Sequence, residues 1–177
     1  WVRLGKMAET ELGDSGRAAV YYERSLATGR RALRAYRAIC RVVPQQETLR
    51  LAGALRGFVQ SSDEDETDAT PRNDALYRLA EIDLGTPDTA GDGAKVLEQA
   101  LDRAPDYDRA LSLLAPAVHA APADPTLVRV YERVARAVGG DALLLDALAL
   151  SSALPGASLD ALNDAVDLSR KLGDTSL

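Results

Sequence analysis

The side chains that most often perform covalent chemistry are scarce in this 177-residue chain, which has one histidine, His119, and one cysteine, Cys40. Imidazole is the side chain that ordinarily exchanges protons near neutral pH, so a conventional general base would have to be His119, for which the sequence offers no evident partner. Cys40 occupies a small position of a helical apolar pattern, where burial is the usual role. The serines form no Gly-x-Ser-x-Gly nucleophile elbow. We therefore expect a protein that is not an enzyme.

The sequence also contains few residues that could bind a metal or a cofactor. A single Cys and a single His exclude a zinc site built from several of them. The acidic run 61–68 lacks the spaced ligands and central glycine of a calcium-binding loop, and we expect residues 61–71 to form a flexible acidic loop. Gly91-Asp92-Gly93 opens a predicted helix, but no Walker lysine follows it. We expect no metal and no cofactor.

The net charge limits the classes of partner. A formal charge of −6 and a pI near 4.9 give phosphate backbones no net attraction, so we expect no nucleic-acid partner. The longest apolar stretch, 142–150, contains Asp146 and is shorter than the about 18 residues that cross a bilayer. We expect a cytoplasmic protein; removal of a signal peptide before Trp1 would instead indicate the periplasm. Arginine outnumbers lysine 18 to 3, a bias typical of a GC-rich bacterial genome.

The composition favours helices throughout the chain. Alanine and leucine contribute 31 and 27 residues, whereas isoleucine contributes two and aromatic residues 5%, so the residues that a large sheet needs are missing. Apolar residues recur every three or four positions between regularly spaced turn signals. Asp14 and Asp124 precede such segments as expected of helix caps, and Gly29 and Gly139 follow them as terminators. The pattern predicts ten helices, at 2–12, 15–28, 30–43, 46–60, 72–84, 92–104, 107–121, 125–138, 142–153 and 157–172.

Short motifs recur at equivalent positions of these helical hairpins. The chain opens with Trp1, Leu4 and Gly5 as W-x-x-L-G, Gly13-Asp14 lies at the next turn, and Tyr22 follows on the second helix. The best-preserved unit carries Leu76, Leu79, Ala80, Leu97, Ala100, Leu101, Pro105 and Tyr107. These motifs resemble the tetratricopeptide repeat. The resemblance implies an all-α fold, an α-α superhelix (solenoid) of about five antiparallel helical hairpins, in one domain over residues 1–177; a closed helical bundle and other hairpin repeats are the alternatives.

The end of the chain has two interpretations. Leu172-Gly173-Asp174 repeats the turn phrase Leu12-Gly13-Asp14. If this phrase always marks the turn inside a hairpin, helix 157–172 is a first helix whose partner is absent, and the chain is an excerpt of a longer solenoid. The other interpretation is a C-terminal solvating helix.

The resemblance also implies a binding surface. Repeats of this kind bind extended peptides or partner helices in a concave groove that the first helix of each hairpin lines. Three of the arginines mapped there fall on one helical stripe and suit carboxylates, although the Lys and Asn positions of the family's carboxylate clamp are not reproduced. The positions that map to the groove are Arg34, Arg37, Arg41, Asp74, Tyr77, Glu81, Arg109, Ser112 and His119. Pro116 removes a backbone donor and should kink or split the helix predicted at 107–121, beside His119.

We therefore expect a noncatalytic protein–protein interaction scaffold that binds a peptide or a partner protein in this groove. A solvated arginine face in an arginine-rich chain is the competing interpretation of the stripe. One alternative function is a helical sensor or regulatory module that binds a small ligand or signalling peptide in a closed pocket near Tyr77, Arg109 and His119. Another is an enzyme on a helical scaffold, which requires a cleft with converging titratable groups.

Overall fold

The computed structural model describes residues 1–29, 31–61, 70–157 and 159–173, and in these ranges the fold is all-α, without strands. Most of the predicted acidic loop 61–71 lies outside the described residues. None of the described helices is both long and apolar enough to cross a bilayer. The described helices are α1 (Val2–Thr10), α2 (Ser15–Ala27), α3 (Ala32–Val42), α4 (Thr48–Gln60), α5 (Thr70–Leu84), α6 (Ala90–Arg103), α7 (Tyr107–Ala120), α8 (Pro125–Val138), α9 (Asp141–Ser152) and α10 (Leu159–Leu172), with a short 3-10 turn at Pro87–Thr89.

Local signals fix several of the helix ends where the sequence places them. The carboxylate of Asp14 accepts a hydrogen bond of 2.8 Å from the backbone N–H of Arg17 at the start of α2. Asp124 accepts two such bonds, of 2.8 and 3.1 Å, at the start of α8. These side chains satisfy amides that have no partner inside the helix. Gly29 and Gly139 adopt the positive φ angles, 69° and 80°, that end α2 and α8.

Helix α7 runs from Tyr107 to Ala120 through Pro116 as one element. Of the two effects predicted for Pro116, a kink or a split, the split is therefore wrong. The Pro116 side chain is exposed, which places its ring at the surface and not against a neighbouring helix.

The described residues form two compact units, Trp1–Ile82 and Asp83–Leu177. In the first unit α2 packs against α1, α3 and α4, and in the second unit α8 packs against α6, α7 and α9, while α9 packs against α10. Burying one large apolar side chain contributes about 1.5–3 kcal/mol, so each unit has a substantial core of its own. Fully buried side chains include Tyr22, Ile39, Leu55 and Phe58 in the first unit, and Leu97, Leu114, Leu127, Val128 and Leu148 in the second.

Candidate functional site

Helix α3 carries the strongest local concentration of positive charge. Residues 24–46 contain six arginines and neither Asp nor Glu, in a chain whose net charge is −6. Ala35 and Ile39 on one side of α3 are fully buried. Burial of that side turns the other side outward, and Arg34, Arg37 and Arg41 are all exposed. The three arginines therefore form one solvent-facing stripe.

Arg41, the last arginine of this stripe, is already paired with a carboxylate. Its Nε and Nη2 atoms donate to Oε1 and Oε2 of Glu9 on α1, each at 2.8 Å. This two-pronged geometry is the strongest form of a surface arginine–carboxylate contact. The phenol of Tyr22 on α2 donates to the same Oε2 atom at 2.9 Å. We call Glu9, Tyr22 and Arg41 the Glu9 cluster.

The Glu9 cluster changes the proton affinities of its members. The hydrogen bond from Arg41 is the main reason that the pKa of Glu9 lies below its usual value, with partial burial opposing it. The same hydrogen bond raises the pKa of Arg41. Burial, followed by the hydrogen bond to Glu9, raises the pKa of Tyr22 to about 12. Across the neutral range the cluster therefore holds one negative and one positive charge.

The other two arginines of the stripe have a different status. Arg34 and Arg37 are exposed, and neither makes an ion pair or side-chain hydrogen bond with any residue that the structure describes. They lie three residues apart, hence on one face of α3. Two positive charges are thus available to an external anion at this place.

Tyr36 lies between these arginines in sequence and faces the protein. Its ring stacks on Phe58 of α4, with centroids 4.4 Å apart and an interplanar angle of 1°. Burial raises the pKa of Tyr36 above its usual value, the neighbouring half-buried Cys40 adds to the shift, and the charges of Arg78 and Asp74 on α5 act in opposite directions. The ring stacking anchors this side of α3 against α4, so the arginines lie on the outward side.

Helix α5 exposes only two of its three positions that were predicted to face the groove. Asp74 and Glu81 are exposed, but Tyr77 is 1% exposed, so the prediction that it faces the solvent is wrong. Tyr77 adjoins Leu76 in sequence, and a core-facing helix buries a stripe wide enough to include both positions.

In the second unit, His119 has a partner that the sequence did not reveal. Its Nε2 atom lies 3.6 Å from Oδ2 of Asp146 on α9. The same carboxylate oxygen accepts a hydrogen bond of 2.8 Å from the phenol of Tyr131 on α8, and the imidazole meets the Tyr131 ring edge-on at 6.3 Å. Burial, followed by the bond to Asp146, raises the pKa of Tyr131 to about 12. We call His119, Tyr131 and Asp146 the Asp146 cluster.

The remaining predicted positions on α7 have modest environments. Arg109 is half-buried and Ser112 is exposed. The Ser112 hydroxyl donates to the backbone carbonyl of Arg109 at 2.7 Å. This contact does not make either side chain chemically reactive.

Two open depressions in the second unit lie away from the predicted positions. One, of about 500 Å³, is formed by α8 alone, and the other, of about 380 Å³, is formed by α8, α9 and α10. Their lining residues are Arg129, Glu132, Arg133, Arg136 and Ala137 for the first, and Arg136, Leu144, Leu148, Asp164, Asp167, Leu168 and Lys171 for the second. Within the described ranges, no three His, Cys, Asp or Glu side chains converge to hold a metal ion.

Comparison with known proteins adds no family assignment. The chain matches no protein-family model, and no curated protein matches it significantly. The candidate site is therefore defined by its geometry, namely the exposed stripe of α3, in which Arg41 is held by Glu9 while Arg34 and Arg37 have no partner among the described residues.

Proposed function

We propose that this chain is a noncatalytic scaffold of stacked, tetratricopeptide-like hairpins that binds a peptide or partner protein through the exposed face of its first helices. The first helices in this scheme are α1, α3, α5, α7 and α9, and the others are second helices. The main contact is electrostatic: Arg34 and Arg37 receive carboxylates of an acidic segment. The observation that carries the proposal is the unpaired, outward position of these two guanidinium groups.

Ion pairs between alternate helices support the stacking of hairpins. In a solenoid each hairpin contacts the next one, so first helices neighbour first helices and second helices neighbour second helices. The partners in these pairs are 32, 27 and 31 residues apart in sequence, close to the 34-residue period of a tetratricopeptide array. The pairs are Glu9–Arg41 between α1 and α3, Glu23–Arg50 between α2 and α4, and Glu98–Arg129 between α6 and α8.

The local charge supports an acidic partner. An isolated exposed ion pair contributes only about 0–1 kcal/mol, so two guanidinium groups on one face give weak, salt-sensitive binding unless further contacts are added. Guanidinium groups suit carboxylates because their planar donors match both oxygens. An acidic peptide is therefore the partner chemistry that the face fits.

The direct test is the binding of a fluorescent hexaglutamate peptide with blocked ends, measured by anisotropy at low ionic strength. Replacing Arg34→Glu and Arg37→Glu turns two attractions into repulsions, so we expect affinity to fall about tenfold. The matched control is Arg17→Glu with Arg103→Glu, which changes the net charge equally but lies on the second helices α2 and α6. A similar loss in both double variants would show that only net charge matters and would overturn the proposal.

A further inference from the structure

The arginine stripe of α3 contains three guanidinium groups, of which two, those of Arg34 and Arg37, have no ion-pair partner in the part of the chain that the structure describes. The Arg41 side chain is 61% exposed, but its charge is balanced by Glu9, whose side chain is 22% exposed. Arg41 therefore lies at the surface without contributing a free positive charge. The difference between Arg41 and the other two arginines comes entirely from a residue of another helix, α1.

Glu9 is held in place independently of Arg41. Tyr22 donates to it at 2.9 Å, and Tyr22 itself is 2% exposed. The Tyr22 ring packs so closely on α1 that a Cβ added at Gly5 would lie 2.5 Å from its Cε1 atom. Because Glu9 is positioned in advance, a ligand carboxylate that competes for Arg41 must displace an ordered two-pronged contact, whereas at Arg34 and Arg37 it displaces only water.

Resting on the proposed function, we infer that Glu9 is a specificity-determining residue. Because it occupies Arg41, the α3 face binds two neighbouring carboxylates of a ligand, through Arg34 and Arg37. A longer acidic run therefore gains no further ion pair at Arg41. At 1.5 Å of rise per residue, Arg34 and Arg37 are about 4.5 Å apart along the helix axis, while Arg34 and Arg41 are about 10.5 Å apart. Alternate side chains of an extended peptide share one side and are about 6.8 Å apart, a separation that two flexible arginines reach easily. The ligand class is therefore an extended segment with acidic residues at alternate positions.

The experiment compares two peptides with blocked ends, one with two glutamates at alternate positions and one with four. In the wild-type protein the long peptide should bind only about threefold better, because it offers three equivalent pairs of neighbouring carboxylates. Glu9→Gln frees Arg41 and keeps an acceptor for Tyr22, so the preference for the long peptide should rise a further two- to fivefold or so. Adding Arg41→Gln to this variant should return the preference to about threefold.

The outcomes separate this inference from the proposed function. An unchanged preference in Glu9→Gln, with binding still lost in the Arg34→Glu, Arg37→Glu variant, overturns the role of Glu9 and leaves the proposed function standing. Peptide binding that survives the Arg34→Glu, Arg37→Glu change overturns both. If Glu9→Gln alone does not fold, the double variant Glu9→Gln, Arg41→Gln decides the question. It removes the whole ion pair without changing the net charge, so the long-peptide affinity should stay as in the wild type, and a loss there overturns the inference.

Discussion

The Glu9 cluster of the first unit and the Asp146 cluster of the second each combine a tyrosine, a carboxylate and a basic side chain. The order of the acid and the base along the chain is reversed between them. In each, a buried tyrosine donates to a carboxylate on one neighbouring helix, and a basic side chain from the other neighbouring helix approaches the same carboxylate. In the Glu9 cluster the acid is on the earlier helix, α1, and the base on the later one, α3. In the Asp146 cluster the base, His119, is on α7 and the acid is on α9.

The difference between the two clusters lies in the chemistry of the base. Arg41 contacts Glu9 through two hydrogen bonds of 2.8 Å and is charged at any ordinary pH. His119 lies 3.6 Å from Asp146 and pairs with it only when the imidazole is protonated. The first unit thus has a connection of two short hydrogen bonds between α1 and α3, while the connection between α7 and α9 in the second unit is a single longer contact. Four measurements test this comparison.

The largest effect on stability should come from the close contact between Gly5 and the Tyr22 ring, which positions the tyrosine that donates to Glu9. A Cβ at Gly5 would lie 2.5 Å from the buried Tyr22 ring, so the ring or α1 must shift. We expect Gly5→Ala to lower the free energy of unfolding by about 1–3 kcal/mol, measured by urea denaturation. Gly53→Ala on α4, whose Cβ would meet nothing, is the control and should stabilise by up to about 1 kcal/mol. Equal effects at both glycines would contradict the close packing of Tyr22.

Removal of either tyrosine hydroxyl should have a smaller effect on stability, and the effect should be the same in the two clusters. Tyr22→Phe and Tyr131→Phe each remove a hydrogen bond to a carboxylate, and each should lower the free energy of unfolding by about 1 kcal/mol. A loss in only one of the two variants would show that the clusters are not equivalent.

Alkaline titration provides a second readout of the same pair. The pKa of each tyrosine is about 12 in the folded protein and about 10 in an unfolded chain. The unfolded chain therefore releases these protons first, and stability should fall as the pH rises from about 10 to 12. Each Phe variant should remove part of this fall.

The smallest effect is the coupling energy within each acid–base pair, obtained from double-mutant cycles. For Glu9→Gln and Arg41→Gln we expect about 0.5–1 kcal/mol at pH 8 and at pH 5.5. Because the pKa of Glu9 is lowered in the folded state, this contribution is complete above the usual carboxyl pKa and is lost as the pH falls through the folded value. For His119→Gln and Asp146→Asn the coupling energy should be smaller, at most about 0.5 kcal/mol, because one contact of 3.6 Å replaces two hydrogen bonds of 2.8 Å. Equal coupling energies in the two cycles would contradict the comparison.

The sequence predicts the helices well because their signals are local. Asp14 and Asp124 cap their own helices, and Gly29 ends α2, over a few residues each. The partners of Arg41 and His119 could not be predicted in this way, since Glu9 lies 32 residues before Arg41 and Asp146 belongs to a different helix from His119. Such contacts depend on the offset between stacked helices, which hydrophobic periodicity does not determine.

One signal in the sequence could have identified these pairs. Among the described residues, most of the ion pairs that join different helices connect residues 27 to 35 positions apart. A search for opposite charges at this spacing would have placed Glu9 among the candidate partners of Arg41, together with Glu11 and Asp14. It would not have revealed that Tyr77 is buried, because that depends on packing across the width of α5.

The most direct test of the central claim is a map of backbone amide chemical shifts during titration with blocked hexaglutamate. The largest changes should fall on α3, around Arg34 and Arg37, and should disappear in the Arg34→Glu, Arg37→Glu variant. Changes centred on the arginines of α8, or changes that persist in that variant, would contradict it.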